Sequence, residues 1–212
     1  MQPSPVKQYA VEHDLPVLQP EKMKDPQFVE QLRSYRANLQ VVVAFRMLPE
    51  VVWAMPEYGT FNVHAALLPQ YRGAAPINWA VINGETQTGV TTFFLDHDID
   101  TGRIIMQKPF AIPDDADVEY VYDGLMHLGA KICIETLEAI ITANGHPETI
   151  AQDDYPPSSL LPPHTIPLGR PSAPGPSIQY HASNLDWQFI SYMILYMFQC
   201  HSPKSSHPLP LP

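Results

Sequence analysis

Leu39-Gln40-Val41-Val42-Val43-Ala44-Phe45 is a short, β-branched apolar run set between stretches of a different rhythm, and its reading decides the fold class. A run of this length and composition suits a strand buried on both faces, as in sheets covered by helices. Upstream, Asp25-Pro26 precedes Phe28, Val29 and Leu32, an apolar stripe at helical spacing behind a helix-start signal. Downstream, Pro49 opens a short helix through Val51, Val52 and Trp53, and a second strand is expected over Gly59–His64. A helix follows over 73–83, with Ala75, Ile77, Ala80 and Val81 facing inward. The third strand is Gly89–Leu95, and the fourth is Ile104–Phe110, reached through the Asp/Gly-rich turn at 96–102. A long helix runs from about Asp115 to Asn144 on the stripe Val121, Leu125, Leu128, Ile132, Leu137, Ile140 and Ile141. Carboxylates at 114, 115 and 117 suit its N-terminal dipole, and Asn144-Gly145 suits its end. Strands alternating with helices predict an α/β sheet whose ligands gather at strand carboxyl ends.

The 212 residues suffice for one domain with a real core. A net charge of −10 argues against a broad electrostatic grip on nucleic acid or on an anionic membrane. Two cysteines, Cys133 and Cys200, exclude a disulfide scaffold and a Cys-rich zinc site, so a cytoplasmic setting is the default. The opening Met1–Lys7 has no apolar core for a signal peptide. Residues 156–212 hold 12 of the 24 prolines and only three charged residues, Arg170, Asp186 and Lys204. The division expected is therefore 1–153, a folded unit, and 154–212, a Pro-rich, low-charge tail without regular structure. Within the tail, Phe189–Phe198 is apolar but too short to span a bilayer as a helix. No internal repeat is visible.

Asn62 and His64 lie two apart at the end of the second strand, so their side chains share a face. Asn offers an amide donor and His a titratable one, a pair able to hold a developing oxyanion. The plainer reading is a polar pair closing a strand. Asp96, Asp98 and Asp100 alternate with His97 and Ile99 before Thr101-Gly102. These suit a solvated turn; alternatively, one carboxylate orients His64. The calcium-loop pattern lacks its Gly and terminal Glu. In Tyr71-Arg72-Gly73-Ala74-Ala75-Pro76, Gly73 permits a tight turn, Pro76 is tolerated in a first helical turn, and Arg72 is either a surface cation or an anion clamp. The remaining histidines are scattered at 13, 127, 146, 164, 181, 201 and 207 without metal-ligand spacing, and Cys133 reads as a packed helix residue.

Three ordered motifs resemble the folate-dependent formyltransferase family: Phe61-Asn62-Val63-His64-Ala65-Ala66-Leu67-Leu68-Pro69, then Tyr71-Arg72-Gly73-Ala74-Ala75-Pro76-Ile77, then Asp98-Ile99-Asp100-Thr101-Gly102. Pro69–Trp79, Gly84–Thr91 and Val42–Val52 resemble the members that act on initiator methionyl-tRNA. The likeness runs from about Ser4 to about Asp153. It implies a partial doubly wound, Rossmann-like sheet with flanking helices, and transfer of a formyl group from 10-formyltetrahydrofolate to the methionyl amine. Asn62 and protonated His64 would stabilise the tetrahedral oxyanion, and Asp100 would hold His64 charged and oriented and help relay the amine proton. Folate would be held by Phe45, Met47, Leu48, Asp96, His97 and Asp98, and the acceptor by Leu67, Pro69, Arg72 and Gly73. No metal, no membrane and a monomeric chain are implied. The alternatives are another amine acceptor, a sugar nucleotide or glycinamide ribonucleotide, and a non-catalytic truncated product.

The chain departs from the family at Ala66, where Ser is usual, and at Arg103, where an acidic residue is usual. The family's opening strand and Gly-rich turn lie upstream of the region matching Met1, so the neighbouring strand is expected to show an unpaired edge. The family's C-terminal barrel is not recognisable in 154–212, for which an out-of-frame origin is one expectation.

Overall fold

The computed structural model describes residues 3–43, 47–154 and 194–198. In chain order the elements are α1 (Pro5–Glu12), α2 (Pro26–Ser34), β1 (Leu39–Val43), α3 (Glu50–Trp53), β2 (Thr60–His64), α4 (Pro76–Ile82), β3 (Gln87–Phe94), β4 (Ile104–Ala111), α5 (Val118–Thr142) and β5 (Ile194–Phe198). A short 3-10 turn covers Gln152–Asp154. The strands form one mixed sheet in the order β4-β3-β2-β1-β5. β1 and β2 are parallel, and the other neighbours are antiparallel.

Strand alternation sorts the side chains onto two faces. Leu39, Val41 and Phe61 form a cluster with Ile140 of α5, while Val90 packs with Ala80 of α4 and Val121, Leu125 and Ile132 of α5. Helices α4 and α5 therefore cover one face. Thr92 Oγ1 and Thr136 Oγ1 meet at 2.8 Å within that interface, so two buried hydroxyls satisfy each other. On the opposite face Val42 packs with Phe28, Val29, Leu32, Leu48 and Val52 from α2, α3 and the segment before α3. Asn62, His64, Thr91 and Phe93 share this second face through their cross-strand registers.

Several boundaries differ from the sequence expectation. β1 ends at Val43, whereas the apolar run continues to Phe45; residues 44–46 lie outside the described residues. Helix α4 begins at Pro76, three residues later than expected, because Gly73 (φ 94) and Ala75 (φ 56) are left-handed and break the helical path. α5 begins at Val118, with Asp117 as its N-cap accepting from the Tyr120 amide. Helix α1 was not expected, although Ser4 caps it and Pro5 occupies its first turn. The outer edge of β1, expected to lack a partner, pairs with β5 from Leu39↔Phe198 to Val43↔Ile194. Ile194–Phe198, within the segment expected to lack regular structure, is here a strand that gives this edge backbone partners. The expectation for the rest of the tail, 155–193 and 199–212, falls outside the described residues.

Candidate active site

Asn62 and His64 are the third and last residues of β2, and both are almost wholly buried. The loop after β2 turns back over them. It passes through a cis Leu68-Pro69 bond and left-handed Tyr71 and Gly73. Thr91 fastens it to the sheet: its Oγ1 donates to the Ala66 carbonyl (2.6 Å) and accepts from the Leu68 amide (3.1 Å). Gln107 Nε2 adds bonds to Thr91 Oγ1 and the Leu68 carbonyl. Leu67 lies over Gly89, where any Cβ would run into its side chain. The loop is therefore tied to β3 and β4 by side-chain bonds, although it has no ladder of its own.

The His64 ring is held by a hydrogen bond at one nitrogen and faces a carboxylate with the other. Nε2 stands 2.9 Å from the Tyr71 carbonyl, an acceptor only, so Nε2 carries the proton in that contact. Nδ1 stands 3.8 Å from Asp100 Oδ2. Phe93 meets the ring edge-on at 6.4 Å. Asp100 is buried with φ 53, and its Oδ2 accepts from the Gly73 amide at 2.8 Å. The β3–β4 loop thus brings a carboxylate onto the imidazole and onto the turn that carries Arg72. Asp96 and Asp98, by contrast, are exposed. The Asn62 Oδ1 is buried without a hydrogen-bond partner among the described residues.

Arg72 is half-buried, and its Nε and Nη2 donate to Gln152 Oε1 at 2.9 and 2.6 Å. Gln152 Nε2 donates in turn to the Asp100 and Gly102 carbonyls, each at 2.8 Å. Gln152, Tyr71, Thr91 and Gln107 were not singled out as site residues from sequence. Tyr71 carried one available signal, its place beside Arg72 in the motif; Gln152 carried none. The Tyr71 hydroxyl donates to Glu85 and accepts from Asn83 Nδ2 at 3.0 Å. Burial, then the bond to Glu85, pushes its pKa up to about 12.

Of the six residues expected at folate, the five that are described lie on two segments beside α3. Met47 is exposed and Leu48 is packed in the α2–α3 cluster, where Leu95 joins it. His97 sits edge-on to Trp53 of α3 at 5.3 Å, so the 96–98 turn lies beside the segment carrying Met47 and Leu48. Phe45 lies outside the described residues. Leu67 and Pro69 are half-buried in the loop after β2, with Arg72 and Gly73. Cys133 is half-buried in α5, and burial pushes its thiol pKa up, away from reactivity. Among the described residues no group of three or more His, Cys, Asp or Glu could hold a metal ion, and no helix is long and apolar enough to cross a membrane.

An α/β sheet carrying an amide, an imidazole and a carboxylate on one strand–loop surface is a framework for acyl-type transfer. Residues 1–137 match the formyl transferase family, and the chain belongs to it. It is 54% identical over 187 residues to a methionyl-tRNA formyltransferase of Bacteroides fragilis, a match covering 88% of this chain and 54% of that protein. It is 63% identical over 155 residues to the methionyl-tRNA formyltransferase of Parabacteroides distasonis, covering 73% of this chain and 47% of that protein. The chain thus spans about half the length of the curated relatives it matches. The longer match necessarily passes Asp153 into the Pro-rich segment. Among solved structures, phosphoribosylglycinamide formyltransferase from Bacillus halodurans superposes with a TM-score of 0.60 at 23% identity, covering 68% of this chain and 78% of that one. A formyltransferase from Anoxybacillus kamchatkensis, in complex with a UDP-4-formamido sugar and tetrahydrofolate, gives 0.56 at 18% identity, covering 76% and 80%. At these identities the structural matches bear on the fold.

Proposed function

We propose that this chain transfers a formyl group from 10-formyltetrahydrofolate to the amino group of initiator methionyl-tRNA, with Asn62, His64 and Asp100 as its catalytic residues. One observation carries the reading: Asn62 and His64 share one face at the end of β2, Asp100 faces His64 at 3.8 Å, and all three are buried. The relatives' names, at 54% and 63% identity, support the acceptor. Bound formyltetrahydrofolate supplies a formyl carbon already activated on nitrogen. The site fits such a group, because Asn62 Oδ1, buried without a partner among the described residues, calls for an N–H donor. Asn62 Nδ2 and the Nδ1–H of His64 donate to the formyl oxygen as negative charge collects there, while Nε2–H stays on the Tyr71 carbonyl. Asn62 Oδ1 receives an N–H of the incoming amine and aims its lone pair. Asp100 holds the His64 ring in place and takes part, through water, in carrying the amine proton to the departing folate nitrogen. Met47, Leu48, Asp96, His97 and Asp98, with Phe45, form the folate side; Leu67, Pro69, Arg72 and Gly73 form the acceptor side. The reaction needs no metal, and the setting is cytoplasmic with a monomeric chain.

The test is formyl transfer by residues 1–212 to methionyl-tRNA, with His64→Ala, glycinamide ribonucleotide and an amino-sugar nucleotide run alongside. Transfer to methionyl-tRNA that His64→Ala abolishes supports the reading. Transfer to another amine instead overturns the acceptor. No transfer to any of them, with a full-length relative active in parallel, overturns the activity for this chain.

A further inference from the structure

We propose that Gln152 is the positioning residue of this site: its side chain holds the Asp100 carboxylate against His64 and joins the Asp100 loop to Arg72. The inference deepens the reading given under Proposed function and rests on it for its kinetic consequence.

Gln152 is 4% exposed and lies 52 residues from Asp100 and 80 from Arg72 in the chain. Its partners fix which end of the amide points where. A guanidinium only donates, so it takes Oε1; the Asp100 and Gly102 carbonyls only accept, so they take the two Nε2 protons. All four bonds fall between 2.6 and 2.9 Å. A carboxylate at 152 would keep the Arg72 contacts and set an oxygen against two carbonyl oxygens. An aliphatic residue would leave buried groups on both sides unpaired.

The backbone explains why such a support is needed. Asp100 has φ 53, a left-handed conformation that a residue with a Cβ holds only when its surroundings impose it. One imposed contact is on its side chain, from the Gly73 amide, and the other is on its carbonyl, from Gln152. Gln152 is itself located by paired backbone bonds between Ile104 and Ile150, at 2.8 and 2.9 Å, which run the segment after α5 along the start of β4. The chain thus uses a distant amide to clamp the carboxylate loop onto the loop that carries Arg72.

Amide hydrogen exchange of the full chain tests this at Gly73, whose N–H reports the Asp100 carboxylate directly. Gln152→Glu keeps the acceptor for Arg72 and loses both protons to the carbonyls; Gln152→Ala loses both arms. Asp100→Ala sets the rate for a Gly73 amide without its carboxylate. In Gln152→Glu, Gly73 should exchange at least about tenfold faster, toward the Asp100→Ala rate, while Ile132 in α5 keeps its wild-type protection. The Gly73 N–H resonance should move with that of Asp100→Ala, a signature that lowered stability alone does not produce. Where Gln152→Ala exposes Ile132 as well, Gln152→Glu alone decides. Wild-type exchange and resonance at Gly73 in Gln152→Glu, with Asp100→Ala accelerated, overturn the proposal. In the formyl-transfer assay Gln152→Glu should lower kcat about tenfold and leave KM for the formyl donor within about twofold; an unchanged kcat also overturns it. A wild-type chain that transfers nothing defeats the proposed activity, while the exchange comparison still decides the role of Gln152.

Discussion

His64 Nδ1 faces Asp100 Oδ2 at 3.8 Å, and both side chains are more than nine-tenths buried. At that separation the carboxylate faces the ring without occupying the nitrogen by a short bond. In the proposed mechanism Asp100 acts through His64, so the two substitutions should not add. His64→Ala is expected to lower kcat/KM at least about a hundredfold, and Asp100→Asn about tenfold. The double variant should stay within about threefold of His64→Ala. Multiplicative losses in steady-state formyl transfer would show that the two groups serve separate steps.

Tyr71 ties the same histidine to an alkaline limit. Its carbonyl takes the His64 Nε2 proton, while its hydroxyl sits between Glu85 and Asn83. Burial and Glu85 raise the hydroxyl pKa from 10.0 to about 12 in the folded protein. A raised folded value favours the protonated folded state, so the stabilisation is complete below pH 10 and fades as the pH climbs from 10 through about 12. The melting temperature of the wild type should fall across that window. Tyr71→Phe should melt lower at neutral pH and lose part of the decline; an equally steep decline in both would assign it to other groups.

Strands β1 to β4 were legible by composition and α2, α4 and α5 by their apolar stripes, whereas α1 and β5 were not read from sequence. Asn62 and His64 were legible because a strand has period two. From spacing alone Asp100 was one of three alternating aspartates, and only the resemblance singled it out, since choosing among them depends on how the β3–β4 loop folds back, which leaves Asp96 and Asp98 exposed and Asp100 buried. The start of α4 was misplaced because the left-handed turn at Ala75 is unusual for a residue with a Cβ. Gln152 was invisible for a different reason. A neutral amide beyond a long helix has no period, charge or motif, and its meaning comes wholly from contacts across 52 and 80 residues.

Thr91 makes a separable prediction about the loop over the site. Its hydroxyl joins the Ala66 carbonyl, the Leu68 amide and Gln107. Thr91→Val keeps the shape and removes all three bonds, leaving buried backbone groups unpaired. The expected cost is roughly 2 kcal/mol, read as a lower denaturant midpoint at unchanged slope. An unchanged midpoint would mean that Gln107 alone holds the loop.

Gly102 makes the last prediction, because its neighbourhood separates two costs that glycine substitutions usually mix. A Cβ there would overlap the Phe94 carbonyl, and backbone cannot swing aside as a side chain does. Its own carbonyl is one of the two that Gln152 holds. Gly84 offers the contrast: it is left-handed at φ 68 with nothing within 4 Å of a Cβ. Gly84→Ala should therefore cost only the left-handed penalty, about 1 kcal/mol. Gly102→Ala must push the β3–β4 loop off β3 and should cost more than about 2 kcal/mol. Because the displaced loop carries Asp100, Gly102→Ala should also speed Gly73 amide exchange, and Gly84→Ala should not. Equal midpoints for the two variants in denaturant unfolding would show that the loop yields freely, and the tight seat described for Asp100 would then have to be abandoned.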